Sequence, residues 1–122
     1  MATRDKSDVI AQGGTLLFLL IAGHFLGDFG LQSDTMAREK SRHSTTPLQK
    51  SVPWYWWLSA HTLIHGGIVT LLTGSGLLGM IEVGIHAIAD WLKCENRTTL
   101  LQDQILHLLT KLGFWLWLLQ TM

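Results

Sequence analysis

The sequence has few of the residues on which disulfide scaffolds and soluble domains depend. Cys94 is the single cysteine, which excludes an intrachain disulfide and a zinc knuckle built from cysteine pairs. Charged residues make up 15% of the 122 positions and the formal net charge is zero, whereas ordinary soluble domains carry roughly 25% charged residues. Such a neutral, charge-poor chain is unlike a nucleic-acid binder, so we expect no nucleic-acid partner.

Long apolar segments dominate the sequence. It has no internal repeats and no alternation of apolar and polar residues of the kind typical of strands. Four segments reach the ~20 residues that a helix needs to cross ~30 Å of hydrocarbon. They cover approximately residues 11–32, 54–73, 76–93 and 101–120. The sequence therefore predicts an all-α fold, an integral membrane four-helix bundle with up-and-down topology, as a single transmembrane domain over residues 1–122.

The basic residues predict how these segments are oriented. The connection 33–52 and the link after the third segment hold six lysines and arginines, against only Arg4 and Lys6 on the other side. Because short basic loops stay in the cytoplasm, we expect a cytoplasmic loop at 33–52 and both termini facing outward. The apolar start has no signal-peptide cleavage site and continues into His24, so we expect a retained span.

Each predicted span carries two titratable side chains four residues apart, the spacing that places both on one helix face. The pairs are His24 with Asp28, His61 with His65, His86 with Asp90, and Asp103 with His107. The topology puts all four pairs in the cytoplasmic half of the bilayer, where they can meet in one layer. Glu82 and Lys111 should also lie at equal depth and form a structural ion pair.

Three aspartates buried in a membrane need a partner of opposite charge. Each costs ~2.5–3.5 kcal/mol on insertion scales, whereas a divalent ion bound by protein ligands returns about 10 kcal/mol or more. Imidazole and carboxylate ligands without thiolates favour zinc, iron, manganese or nickel. We therefore predict one or two divalent transition-metal ions, zinc foremost, held by His61, His65, His86, Asp90, Asp103 and His107. His24 and Asp28 would complete the site or act as acid and base, and Gln32 would orient a ligand.

Other residues have simpler interpretations. A lone histidine on an apolar helix face is usually a hydrogen-bonded packing residue, which does not account for so many together. We expect His43 to be solvated and the basic residues of 33–52 to fix the topology or to contact anionic lipid headgroups. Gly23 and Gly27 form a GxxxG pair that serves either packing within the chain or a homodimer.

Four short motifs, HFLGDFGLQSDTMAREK, HTLIH, HAIADWLK and QDQILH, resemble those of the domain of unknown function 3307 family, small polytopic membrane proteins of bacteria and their phages. The first is the most specific, because HxxxDFxLQ is followed by Met36 and Lys40. The resemblance implies a multi-pass protein of the bacterial inner membrane and adds Gln104 beside Gln32 as an orienting residue, but it implies no activity. More loosely, the histidines and aspartates are similar to those of bacterial membrane-bound metal-dependent hydrolases.

Three functions fit this pattern. The first is a metal-dependent hydrolase that acts at the inner leaflet on an amphiphilic substrate, such as a membrane lipid or a lipid-linked phosphate or ester, and keeps one metal position open for water. The second is a haem-binding membrane cytochrome with paired histidines as axial ligands, which leaves the carboxylates unexplained. The third is a non-enzymatic membrane protein, either a proton or metal conduit or a phage-encoded partner whose polar layer sets the helix register.

Overall fold

The computed structural model describes residue 3 and residues 5–121, and this part of the chain is helical without strands. A π-helical turn, Leu26–Gly30, continues the first helix, and a 3₁₀ turn, Pro47–Lys50, precedes the third. The helices are α1 (Lys6–Phe25), α2 (Asp34–Glu39), α3 (Trp54–Thr73), α4 (Gly76–Cys94) and α5 (Leu100–Thr121). The prediction of an all-α fold is confirmed, and α3 and α4 coincide with the second and third predicted segments to within one residue.

Local sequence sets the ends of these helices. α3 follows Pro53 and ends at Gly74, whose φ of 72° lies in the left-handed region that favours glycine. Ser75 caps α4, its hydroxyl accepting a hydrogen bond from Leu78 N at 3.2 Å. Gly74 and Ser75 thus make the tight turn that returns α4 alongside α3.

Consecutive long helices run antiparallel and close into a ring of four. Gly13 near the start of α1 faces Leu119 near the end of α5. In the α3–α4 hairpin, a Cβ on Gly79 would lie 2.7 Å from Gly66 O, so the two backbones approach closely. Lys111 of α5 forms an ion pair with Glu82 of α4 in the bundle interior. The four long helices therefore alternate in direction around one shared interior.

The GxxxG pair of α1 is used inside this ring. A Cβ on Gly23 would lie 2.7 Å from Ile68 Cγ2, and one on Gly27 would lie 2.5 Å from His65 Cε1, both on α3. Small residues at these positions let α1 and α3 come together. The pair is therefore occupied by packing within the chain and does not supply a free face for a homodimer.

The interior has two unlike ends. Toward the termini and the 74–76 turn, the side chains of Leu20, Val69, Leu78 and Phe114 form an apolar cluster. Toward residues 33–52, which we call the cap, the buried side chains are polar or charged except for Ala89. Among the described residues five hydrophobic side chains are buried against thirteen polar or charged ones, the reverse of a soluble core.

Length and composition identify one helix among the described residues, Lys6–Gly30, that is able to cross a membrane. The prediction of four spans is therefore supported by this measure for the first segment alone. The other three long helices carry titratable side chains on their inner faces, which lower the average hydropathy of each helix. Arg4, counted above for the outer side, lies outside the described residues.

Candidate metal centre

The eight paired side chains of the four long helices meet in one buried layer. Each is at most 5% exposed, and Asp28 is the most exposed of them. Two come from each chain segment of the ring, since residues four apart share a helix face. The layer consists of His24, Asp28, His61, His65, His86, Asp90, Asp103 and His107.

Asp28 lies inside a ring of imidazoles. It belongs to the π-helical turn Leu26–Gly30, in which a wider turn re-aims a side chain, a feature found frequently at functional sites. From its carboxylate oxygens the Nε2 atoms lie at 2.9 Å for His65, 3.2 Å for His61, and 3.4 Å for both His24 and His86. The close approach of His65 requires the missing side chain at Gly27.

Three imidazoles are stacked beside Asp28. The ring centroids of His65 and His86 are 3.7 Å apart with planes inclined by 23°, and those of His86 and His107 are 4.0 Å apart at 22°. His86 Nε2 lies 3.1 Å from His61 Nε2, and its Nδ1 lies 3.1 Å from a Glu82 oxygen. Contacts on both faces and at both nitrogens fix the His86 ring.

Three lysine ammonium groups reach the carboxylates of this interior. Lys40 Nζ lies 2.6 Å from Asp90 Oδ2, and Lys93 Nζ lies 3.4 Å from Asp103 Oδ2. Lys111 makes the third ion pair, with the buried carboxylate of Glu82. Within the part of the chain that the structure describes, Asp28 is the buried carboxylate of this interior that lacks an ammonium partner.

Several donor atoms of the layer converge without forming hydrogen bonds. His65 Nε2 lies 2.9 Å from Asp28 Oδ1, and His107 Nε2 lies 3.2 Å from Asp103 Oδ1, yet none of these four atoms has a hydrogen-bond partner among the described residues. Buried polar atoms in proteins are nearly always satisfied. Two donors held ~2.1 Å from one tetrahedral ion would lie roughly 3.4 Å apart, close to the separations seen here.

The donor atoms divide into overlapping groups able to hold an ion. Within each group the ligand atoms lie within 4.8 Å of one another. The largest group has four donors, His24, Asp28, His65 and His86, and the others have three: His61, His86 and Asp90; Glu82, His86 and His107; and Asp28, Asp103 and His107. Nitrogen and oxygen donors without sulfur match zinc and the neighbouring first-row metals.

The two glutamines predicted to orient ligands act in different ways. Gln104 Oε1 lies 2.9 Å from His24 Nε2, and its amide donates to Asp28 Oδ2 at 2.8 Å, so one side chain fixes both members of the α1 pair. Gln32 instead donates to the backbone carbonyl of Asp28 at 3.1 Å. Gln32 therefore holds the π-helical turn rather than a ligand side chain.

The cap contributes two buried residues that the sequence did not single out as site residues. Lys40 enters the interior, so the interpretation of the cap's basic residues as topology or lipid contacts does not extend to it. Glu39 is fully buried and accepts hydrogen bonds from Ser44 at 2.8 Å, Thr46 at 2.5 Å and Gln49 at 2.6 Å. Hydrogen bonds from Thr46 and then Gln49 lower the pKa of Glu39 to about 2. The sequence signal that could have identified Lys40 as a site residue is its position in the first motif.

At the cap surface, His43 is more than half exposed, as expected for a solvated residue, and its Nε2 lies 2.9 Å from Glu95 Oε2. Arg42 pairs with the same carboxylate, and its guanidinium lies 5.7 Å from the centre of the Trp91 ring. The Arg42 and His43 contacts lower the pKa of Glu95 to about 2. These contacts fasten the cap to the end of α4.

Comparison with known proteins gives a family but no characterised relative. No curated protein and no solved structure matches the chain. One family pattern, described as a protein of unknown function (DUF3307), matches residues 16–121, which include α1 from Leu16 onward, the cap and the other long helices. The chain therefore belongs to the DUF3307 family.

Proposed function

We propose that the chain is an integral membrane metal-binding protein whose buried layer holds a divalent transition-metal ion at Asp28. The observation that carries the proposal is that Asp28 has four imidazoles around it and no ammonium partner, while Glu82, Asp90 and Asp103 each have a lysine. A buried carboxylate without a compensating charge costs several kcal/mol. A divalent ion at this position would supply the missing charge and satisfy the unpartnered Asp28 Oδ1 and His65 Nε2.

The group of four donors provides the ligands of the proposed ion. We assign His24, Asp28, His65 and His86 to the ion, with zinc foremost among the metals that this donor set favours. Asp28 and His24 are thereby ligands rather than the acid and base that the sequence suggested, because both are enclosed by other donors and fixed by Gln104. His107, Asp90 and Asp103 lie on the lysine-paired side of the layer.

The distribution of polarity supports a location in a membrane, and the excess of lysine and arginine in the cap would put the cap in the cytoplasm and both termini outside. Large apolar side chains face outward on every long helix; Leu71 is 86% exposed, Leu101 70% and Phe18 67%. Such a surface is unfavourable in water and suits hydrocarbon, whereas titratable residues in membrane bundles face the interior. Hydropathy averaged around α3, α4 and α5 mixes these two faces, which lowers the mean value for each helix.

Hydrolysis of an amphiphilic substrate at the inner leaflet is the reaction that this centre suits best. A divalent ion bound there with a fifth coordination position open to water would supply Lewis-acid activation of that water or of a carbonyl or phosphoryl oxygen. His61 Nε2 lies 3.2 Å from oxygens of both Asp28 and Asp90, so this nitrogen, when unprotonated, could act as the general base: it would take a proton from water, and the two carboxylates would stabilise the resulting imidazolium. The layer lies on the cap side of the bundle, which in the proposed orientation would be nearer to the cytoplasmic leaflet.

A haem group is less compatible with the same residues. A macrocycle ligated from two sides must lie between two imidazoles. In the layer, however, His65, His86 and His107 stack directly on one another at 3.7 and 4.0 Å. The facing histidines therefore leave no slot for a porphyrin between them.

Metal analysis of the protein purified in detergent tests the proposal. We expect about one equivalent of a transition metal in the wild type and less than a tenth of that in D28N. The matched control is D8N, an exposed aspartate of the same helix, which should keep the ion. A folded wild type that carries no metal and takes up none of Zn²⁺, Co²⁺, Mn²⁺ or Ni²⁺ would reject the metal centre.

A second measurement separates hydrolysis from a purely structural ion. Mixed micelles with p-nitrophenyl palmitate or p-nitrophenyl phosphate should release p-nitrophenol in a chelator-sensitive reaction. H61Q should retain the ion but lose turnover, since His61 holds the proton and is not among the four assigned ligands. A metal-loaded wild type inactive on both probes would argue for the non-enzymatic alternative, in which the polar layer sets the helix register.

A further inference from the structure

We propose that Lys40 is a built-in cation that occupies a second metal position at Asp90, so that the centre holds one ion while the cap is closed and two once Lys40 is withdrawn. This inference rests on the proposed metal centre at Asp28. It assigns to the cap a role in setting how many ions the bundle binds.

The donors around Asp90 form a second group, which shares His86 with the first; His86 Nε2 can ligate only one of the two ions, so Asp90 and His61 would be the ligands particular to the second. His61 Nε2 lies 3.2 Å from Asp90 Oδ2, His86 Nε2 lies 3.6 Å from the same oxygen, and the two nitrogens are 3.1 Å apart. These separations are close to those of donors on a single ion. In addition, His61 Nε2 lies 3.2 Å from Asp28 Oδ1, so the Asp28 carboxylate is positioned to bridge this group and the first. Bridged pairs of ions ~3.5–4 Å apart are common in hydrolytic centres.

The ammonium of Lys40 already takes the place of a cation in this group. Its Nζ lies 2.6 Å from Asp90 Oδ2, the oxygen that faces both imidazoles. The lysine side chain is only 3% exposed, so its charge is buried together with that of Asp90. A second divalent ion at the same oxygen would have to displace the ammonium, because two cations cannot share that position.

Lys40 differs from the other two lysines of the interior in the element that carries it. Lys93 and Lys111 belong to α4 and α5, so each is fixed by a helix of the ring. Lys40 follows α2 in the cap, which is held by the hydrogen bonds of Ser44, Thr46 and Gln49 to Glu39. Opening of the cap would withdraw Lys40 while leaving the four long helices in place.

Counting the ions bound by lysine variants tests the inference. The purified wild type and K40M in detergent would be equilibrated with Co²⁺, freed of excess ion and analysed for metal per chain. We expect one ion in the wild type, two in K40M and one in K40R, which keeps the positive charge. K50M removes an exposed lysine of the same cap and should bind one ion, and K40M/D90N should return to one.

The outcomes separate this inference from the proposed function. One ion in both wild type and K40M, or two in the wild type, would overturn the role of Lys40 while leaving the Asp28 centre intact. No ion in either protein would overturn both. No ion in the wild type but one in K40M would reject the Asp28 centre and, with it, the change from one ion to two. If K40M does not fold, K40Q removes the charge and keeps a donor to Asp90, and a single ion in K40Q would overturn the inference.

Discussion

The two ends of the bundle interior achieve close packing by opposite means. At the end near the termini, Leu20, Val69, Leu78 and Phe114 fill the space between the helices with apolar side chains. At the cap end the same four helices are joined by imidazoles, carboxylates and lysines. The apolar end needs only shape complementarity, whereas the cap end needs every charge to have a partner.

This difference teaches where stability and function reside. Ligand binding should depend on the cap end, and charge substitutions should disturb the polar layer there. Steric substitutions in the hairpin near the 74–76 turn should reduce the stability of the fold with little effect on metal binding. The apolar packing at one end holds together the same four helices that carry the polar layer at the other. The following changes probe each end separately, beginning with the largest expected effect.

The largest effect is expected from K111M. It leaves the carboxylate of Glu82 fully buried without its ammonium partner, and breaking a buried pair in this way costs about 3–5 kcal/mol. Unfolding in detergent, followed by circular dichroism, measures the loss. The double variant E82Q/K111M should recover most of the stability, and K50M serves as the lysine control. A K111M protein as stable as the wild type would contradict the role of the ion pair.

At the α3–α4 crossing near the 74–76 turn, G79A should reduce the free energy of unfolding by about 1–3 kcal/mol, because the new Cβ would lie 1.9 Å from Thr70 Oγ1 and 2.7 Å from Gly66 O. The metal content should not change. G84A on the same helix is the matched control, since a Cβ there meets nothing within 4 Å. Equal stabilities for G79A and G84A would show that the hairpin tolerates a wider crossing.

At the cap end, the corresponding glycine substitution should affect binding. G27A puts a Cβ 2.5 Å from His65 Cε1, so the imidazole must move away from Asp28. We expect a 10- to 100-fold weaker affinity for Zn²⁺, the range found when the support of a metal ligand is disturbed. Competition with a zinc-binding dye measures the change. G14A, on the same helix with open space around its Cβ, should bind as the wild type does.

The smallest effect is expected from acid. The pKa of Glu39 falls from its ordinary value of 4.5 to about 2 in the fold, so ionised Glu39 stabilises the cap above pH ~4.5, and this contribution is lost as the pH falls toward 2. The melting temperatures of the wild type and E39Q should therefore differ at pH 6 and converge near pH 2. A difference that persists unchanged at pH 2 would mean that the carboxylate charge of Glu39 plays no part.

The sequence predicted the features that depend on local periodicity. The pairs four residues apart, such as His86 and Asp90, share a face in any α-helix, and antiparallel neighbours bring such faces to one level. Gly74 and Ser75 mark a turn by their own backbone preferences. These signals are contained in a few neighbouring residues, so they can be read without knowledge of the fold.

Other features depend on contacts that local sequence does not encode. The path of the cap decides that Lys40, rather than another basic residue of 33–52, reaches Asp90 across the bundle. The π-helical turn arises where α1 packs on α3, so the direction of Asp28 could not be predicted from an ideal helix. The hydropathy of α3, α4 and α5 is an average over two faces, and only the packed bundle shows which residues face inward.

The apolar cluster at the end near the termini has a consequence for how a charged solute could reach the polar layer. A charged solute arriving from that side would have to pass Leu20, Val69, Leu78 and Phe114 before it met the first carboxylate, Glu82. The apolar cluster therefore separates the polar layer from that end of the bundle. An ion bound in the layer would therefore exchange with the surroundings by way of the cap end.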